Sequence, residues 1–273
     1  MKRLLPAILA LMLSVPVLRA QQAVHSDRMP VLDSLIRSYV TAIQPGTVEE
    51  KQAECDFLIG SVRDSSIRQH IALSLFDYYK EAPVMGDEAV AIYLYDNYFA
   101  NGKIAMRGEF DKLDAQLFAD FNRSSLIGMD APRITLFKPC RGKLTVPEKG
   151  VTSVLWFYDT SCSKCVMEAK ILPGLLEKEV HFPLTLYAVY SGRDKKAWKE
   201  FRRSFRVAGG KVRVVHLWDP DNTSDFVRKY GVISTPRMFA VAPSGGIIGR
   251  RLEVESLMQL LPVAEEIDAL RTF

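Results

Sequence analysis

The most constraining feature of the chain is an apolar run with no alternation, residues 151–158 (VTSVLWFY), that ends directly in a short polar loop and Cys162-Ser163-Lys164-Cys165. A strand apolar at both odd and even positions has no face for water, so it must lie inside a sheet covered on both sides. The segment after it, FYDTSCSKCVMEAKILP, reads as strand, loop and helix, with the cysteines at the helix mouth. Unpaired N–H groups and the helix dipole concentrate positive potential there. That potential favours the thiolate, the nucleophilic form of cysteine. Two intervening residues let the sulfurs meet within one helical turn, so the pair can cycle between dithiol and disulfide. Cys162, at the outer end, is placed to attack a substrate disulfide, and Cys165, one turn in, to resolve the mixed disulfide.

Zinc sites also use Cys-x-x-Cys, but a ribbon needs a second such pair and this chain has none. Cys140, His181 and His216 follow no common zinc spacing, and no metal or cofactor is expected. Of the four cysteines, Cys55 and Cys140 carry little information alone; buried thiols are the favoured reading for both.

The rest of the chain divides by periodicity. Residues 24–122 read as five helices. The first carries Leu32, Leu35, Ile36, Tyr39, Val40 and Ile43 on one side and stops at Pro45-Gly46. A second spans 48–59, and a third is capped by Ser65 or Ser66. The fourth spans 87–99 and is rich in tyrosine. The fifth is marked by Phe110, Leu113, Leu117, Phe118 and Phe121. Near 122–132 the pattern changes to strand-length runs: a pair at 134–137 and 143–146, then strands at 151–158, 184–190, 212–218, 238–241 and 247–251. Helices at 166–177, 194–205, 223–230 and 254–270 alternate with them. The expected architecture is α/β: one mixed central sheet with helices on both faces, preceded by a small all-α domain.

At the N-terminus Lys2 and Arg3 precede a mainly apolar stretch broken by Pro6 and Pro16, with Ala20 a candidate last residue of a removed leader. The stretch is short of the roughly 20 residues a membrane span needs. The expected division is therefore a signal peptide at 1–20, an all-α domain at 21–124 and a sheet domain at 125–273. Without the leader's three basic residues, 33 Lys+Arg face 32 Asp+Glu. Nucleic acid and anionic membrane surfaces are not implied as partners.

A second element stands far from the cysteines: Thr235-Pro236, just before a short apolar strand, where proline marks a turn and sometimes a cis bond. Together the strand–CxxC–helix unit, the Thr235-Pro236 loop and the Ser244-Gly245-Gly246 turn resemble a thioredoxin-like three-layer fold. They resemble more narrowly its TlpA/ResA-like branch of extracytoplasmic thiol–disulfide oxidoreductases. Gly128-Met129-Asp130-Ala131-Pro132 with Ile134-Thr135-Leu136 looks like that branch's opening motif. Glu168 completes a CxxCxxE pattern, and an inserted helix and strand lie at 194–218. The resemblance covers about residues 125–273.

It implies catalytic roles for Cys162, Cys165 and Glu168, the last managing protons near the thiols, and substrate binding at Thr235 and Pro236, with Pro236 cis. An exposed first-turn glutamate favoured by the helix dipole is the plainer reading of Glu168. The resemblance also implies protein thiol or disulfide substrates, a membrane or periplasmic electron donor, and a periplasmic or otherwise extracytoplasmic location. Two departures stand out: Ser161 replaces the usual tryptophan before the first cysteine, and Ser163-Lys164 replaces the usual intervening proline. Lys164 favours the thiolate and Asp159 opposes it, so the direction of redox traffic stays open. A competing reading is a binding module whose helical domain docks a partner, with the cysteines incidental. A thiol peroxidase, suggested only by Thr160, is disfavoured by the second cysteine.

Overall fold

The computed structural model describes residues 29–81 and 83–269. The expected leader therefore lies outside the described residues. Residues 29–42 form α1, followed by α2 (Val48–Ser61), α3 (Ser65–Lys80) and α4 (Glu88–Leu94). The last of these runs into a single π-helical turn, Tyr95–Phe99, which splits the expected 87–99 helix. Then come α5 (Glu109–Asn122) and a 3₁₀ turn, Arg123–Ser125. Thr47 and Glu50 form a reciprocal capping box at the start of α2. The cap of α3 is Asp64, not Ser65 or Ser66. Its carboxylate accepts from the N–H groups of Ser66 and Ile67, and its charge also suits the helix dipole.

Phe76, Leu75, Tyr79, Ala91 and Leu94 centre the helical core. There Phe76 meets Phe99 edge-on at 5.5 Å. Tyr93 and Tyr98 sit at the edge of that core. Both hydroxyls donate to Asp56, at 2.6 and 2.7 Å. α5 differs from what its apolar spacing suggests. It buries Ala115, Ala119 and Asn122 and turns Phe110, Leu113 and Leu117 outward, Phe110 being 90% exposed. Small residues on the inner side let α5 approach closely, which leaves the larger apolar set on the opposite side.

The remaining chain runs β1 (Ile134–Phe137), β2 (Lys143–Val146), β3 (Thr152–Tyr158), α6 (Ser163–Glu179), β4 (Leu184–Tyr190), α7 (Lys195–Ser204), β5 (Val212–Trp218), α8 (Phe226–Tyr230), β6 (Arg237–Val241), β7 (Ile247–Leu252) and α9 (Val254–Ala269). The strands make one sheet in the order β2-β1-β5-β4-β3-β6-β7. β3, β4 and β5 are parallel, while β6 pairs antiparallel with β3 and β7. Every residue of β3 and β4 is buried, Thr152, Ser153 and Thr185 among them, as strands with no alternating polar face require.

Successive side chains of β3 part to the two faces. Val154, Trp156 and Tyr158 meet α6, α7 and α9, and Leu155 and Phe157 meet α8. α8 starts later than expected. The Asp219 carboxylate gathers the N–H and hydroxyl groups of both Thr223 and Ser224, holding 219–224 in a turn.

The helices and the sheet meet at a polar seam. Arg250 of β7, 2% exposed, pairs with Glu88 and donates to Asn122 Oδ1 at 2.9 Å; Arg251 also donates to Asn122. Nearby, Gly231 has φ +63°, and any side chain there would collide with the Phe121 carbonyl. Glycine is thus what lets α5 abut the loop that leads to Pro236.

Candidate active site

β3 ends at Tyr158, and the Asp159 side chain organises the loop that follows. Its Oδ1 accepts from the Ser161 N–H at 2.8 Å and the Ser161 hydroxyl at 2.7 Å, while its carbonyl accepts from Cys162 N–H at 3.2 Å. Cys162 is itself the N-cap of α6: its Sγ accepts the N–H of Cys165 at 3.2 Å. From the opposite side the Thr235 carbonyl lies 3.3 Å from the same sulfur, and the Thr235–Pro236 peptide is cis. The structure thus brings Cys162, Cys165, Thr235 and Pro236 together, although 73 residues separate the two parts. Arg237 braces the loop, donating to the Pro236 carbonyl at 3.2 Å and to Ser234 Oγ at 3.3 Å.

The two thiols have opposite electrostatics. Burial alone would raise Cys162, but hydrogen bonds from the Cys165 thiol and N–H, with help from the Thr235 side chain and the Lys164 N–H, outweigh it and bring the thiol below its ordinary value. Cys165, 1% exposed, is pushed up to about 12 by burial and by its hydrogen bond with Cys162. One thiol is primed and outward; the other is protonated and inward. That is the asymmetry a nucleophile and a resolving thiol require.

Glu168 is 3% exposed, and its Oε2 has no hydrogen-bond partner among the described residues. The plain reading of an exposed first-turn glutamate is thereby excluded. Burial raises its carboxyl above the usual carboxylate range; Lys164, Trp156 and Arg237 pull it down, and Glu253 pushes it up. A folded-state pKa above the unfolded one means that stability falls as pH rises through the window between the two values. Glu168→Gln is therefore expected to stabilise the protein at pH 8 and to make little difference at pH 4. Thermal melts of both proteins across that range would check this, and a constant offset would contradict it.

Beside the cysteines, α6 and α9 enclose a cleft of about 640 Å³ walled by Met167, Ile171, Leu175 and Met258. Ile233, 74% exposed, stands on the loop two residues before Thr235. Lys164, at the rim of the cleft, pairs with Glu253. Neither Glu253 nor Arg237 was legible in the sequence: each is an ordinary charged residue until the fold sets one against Lys164 and the other on the Ser234–Pro236 loop.

The other cysteines stand apart. Cys55 is buried in the helical core, its thiol raised to about 12 by burial. Cys140 is exposed, contrary to the expected buried thiol, because it lies in the connection between β1 and β2 and not on a core face. His216 is half-buried on β5, edge-on to Phe201 and Phe205. Among the described residues, no three His, Cys, Asp or Glu side chains are grouped to hold a metal ion, and no helix is long and apolar enough to cross a membrane.

No family description and no curated protein matches the chain by sequence. Solved structures do match it. A thioredoxin-like protein from Bacteroides caccae superposes with a TM-score of 0.63 at 13% identity, covering 86% of this chain and 84% of that one. The thioredoxin domain of a thiol-disulfide oxidoreductase from Bacteroides vulgatus gives a TM-score of 0.44 at 21% identity, over 51% of this chain and 98% of that one. A thiol:disulfide interchange protein from a Bacteroides species gives 0.42 at 22% identity, over 53% and 92%. The first alignment spans both the helices and the sheet and carries the fold assignment. The chain is a protein of thioredoxin-like fold with an added N-terminal helical part.

Proposed function

We propose that this chain is an exported thiol–disulfide oxidoreductase acting on disulfides of extracytoplasmic proteins through Cys162 and Cys165. The observation that carries this reading is the Cys162 sulfur at the mouth of α6, lowered in pKa, with Cys165 N–H at 3.2 Å and the Thr235 carbonyl at 3.3 Å. In the reducing direction the Cys162 thiolate attacks one sulfur of the substrate disulfide. A Cys162–substrate bond forms as the substrate S–S bond breaks, and one substrate thiolate leaves and takes up a proton. Cys165 then loses its proton to Glu168 through water and attacks Cys162 Sγ. The Cys162–substrate bond breaks, the second substrate sulfur departs as a thiolate and takes up the proton held by Glu168, and a Cys162–Cys165 disulfide remains. Two electrons pass from the pair to the substrate, and a membrane or periplasmic thiol donor restores them. Isomerisation uses the first half of this sequence and its reversal.

In this reading residues 1–20 are a signal peptide, 21–124 the helical domain and 125–273 the catalytic domain. Thr235 and Pro236 line the substrate's path, and the cleft walled by Met167 and Ile171 offers apolar surface beside the nucleophile. Insulin reduction in the presence of dithiothreitol tests the proposal. Precipitation of the insulin B chain is expected to start earlier with the protein than with dithiothreitol alone. No acceleration would leave the binding-module reading, in which a Cys162→Ser/Cys165→Ser double variant keeps full partner binding.

A further inference from the structure

Lys164 lies between the two cysteines, in the first turn of α6, where its side chain is free to turn to solvent or toward the Cys162 thiolate. Instead its Nζ pairs with Glu253 Oε1, contributed by the residue that precedes α9, 89 positions along the chain. The Glu253 backbone is fixed: its N–H donates to Ser256 Oγ at 2.9 Å, and its carbonyl accepts the Leu257 N–H at 2.9 Å. Ser256 serves the helix terminus, so the Glu253 carboxylate is left to reach across to α6.

The pair is 42% and 60% exposed. An ion pair that open contributes about 0–1 kcal/mol to stability, so holding the fold together is a poor explanation for it. Its position matters more. Lys164 stands on the first turn of the helix whose N-cap is Cys162, one residue before Cys165. The charged groups on the elements around this helix mouth are Lys164 and Glu168 from α6, Asp159 from the preceding loop, Arg237 from β6 and Glu253 from the start of α9; Lys164, Arg237 and Glu253 all act on the Glu168 carboxyl.

Resting on the oxidoreductase reading, we infer that Glu253 is a positioning residue for the redox pair: it holds the Lys164 ammonium against α9, away from the Cys162 thiolate, and so makes the pair more reducing. Freed from Glu253, the ammonium stabilises the thiolate. The dithiol form then gains relative to the disulfide, and the protein becomes a stronger oxidant.

The test is a double-mutant cycle of wild type, Glu253→Gln, Lys164→Gln and the double variant, each equilibrated in glutathione buffers. In that equilibrium the Cys162–Cys165 dithiol gives two electrons and two protons to glutathione disulfide. The protein S–S bond forms as the glutathione S–S bond breaks. Glu253→Gln is expected to shift the equilibrium three- to tenfold toward the dithiol, or about 15–30 mV. Thiolate absorbance of Cys162 should move to lower pH in step, with the melting temperature unchanged. In the Lys164→Gln background the same substitution should produce less than half that shift. An equal shift in both backgrounds would show Glu253 acting by its own charge and would overturn the inference, as would no shift in the single variant. A wild-type protein that does not equilibrate with glutathione at all would instead overturn the oxidoreductase reading.

Discussion

Cys162→Ser is expected to reduce insulin no faster than dithiothreitol does alone, whereas Cys165→Ser should stop one step later, as a covalent adduct. The difference follows from geometry. The Cys162 sulfur is partly exposed, capped by the N–H of Cys165 and lowered in pKa. A serine hydroxyl there is neither ionised at neutral pH nor able to form a disulfide, so no step can begin. Cys165 is 1% exposed and held at about 12, so it is a poor nucleophile until Cys162 has reacted and a base takes its proton. Without it the Cys162–substrate bond still forms but is not resolved. Mass spectrometry of Cys165→Ser incubated with a disulfide-containing peptide should find one peptide joined to Cys162. An adduct on exposed Cys140, or none, would contradict the assigned order of attack.

Arg250→Ala is expected to destabilise the protein by about 3–5 kcal/mol, the usual result of stripping one partner from a buried ion pair. The guanidinium is fully buried; burial lowers its pKa to about 10 while Glu88 works to raise it, so it remains charged at neutral pH. Removing it leaves the Glu88 carboxylate, 10% exposed, without its ion-pair partner, and frees Asn122 Oδ1 and Ser125 Oγ of one donor each. Because these groups join α4 and the end of α5 to β7, the loss falls on the seam between helices and sheet. Calorimetry should resolve separate transitions where the wild type shows closer coupling. An Arg250→Met/Glu88→Leu double variant should recover most of the loss, since two apolar side chains leave no charge behind. Equal destabilisation by the single and double variants would mean that packing, not charge, is what the seam depends on.

What was legible in the sequence was what local chemistry dictates. The strongly apolar runs at 152–158 and 184–190, with no alternation of polar residues, could only be inner strands. The CxxC pair announced itself by spacing, and Pro236 by an imide at the start of a strand. The errors arose where several signals compete or where distance in sequence hides proximity. Asp64 outranks two neighbouring serines because a carboxylate satisfies two N–H groups at once. Phe110, Leu113 and Leu117 have the spacing of a core face, yet the alanines across the helix take that role. Glu88, Asn122 and Arg250 become one polar cluster only when the sheet and helices meet, and Glu253 reaches Lys164 only through the crossing of α6 and α9.

The most direct measurement is a thiol count on the purified protein across a series of glutathione redox buffers, with alkylated positions identified by mass. Cys162 and Cys165 should lose reactivity together at one potential, leaving one internal disulfide, with Cys55 and Cys140 unchanged at that point. A midpoint near −270 mV would mark a reductase, and one near −120 to −180 mV an oxidant or isomerase. Cysteines that oxidise separately, or that stay alkylatable throughout, would contradict a paired dithiol at the mouth of α6.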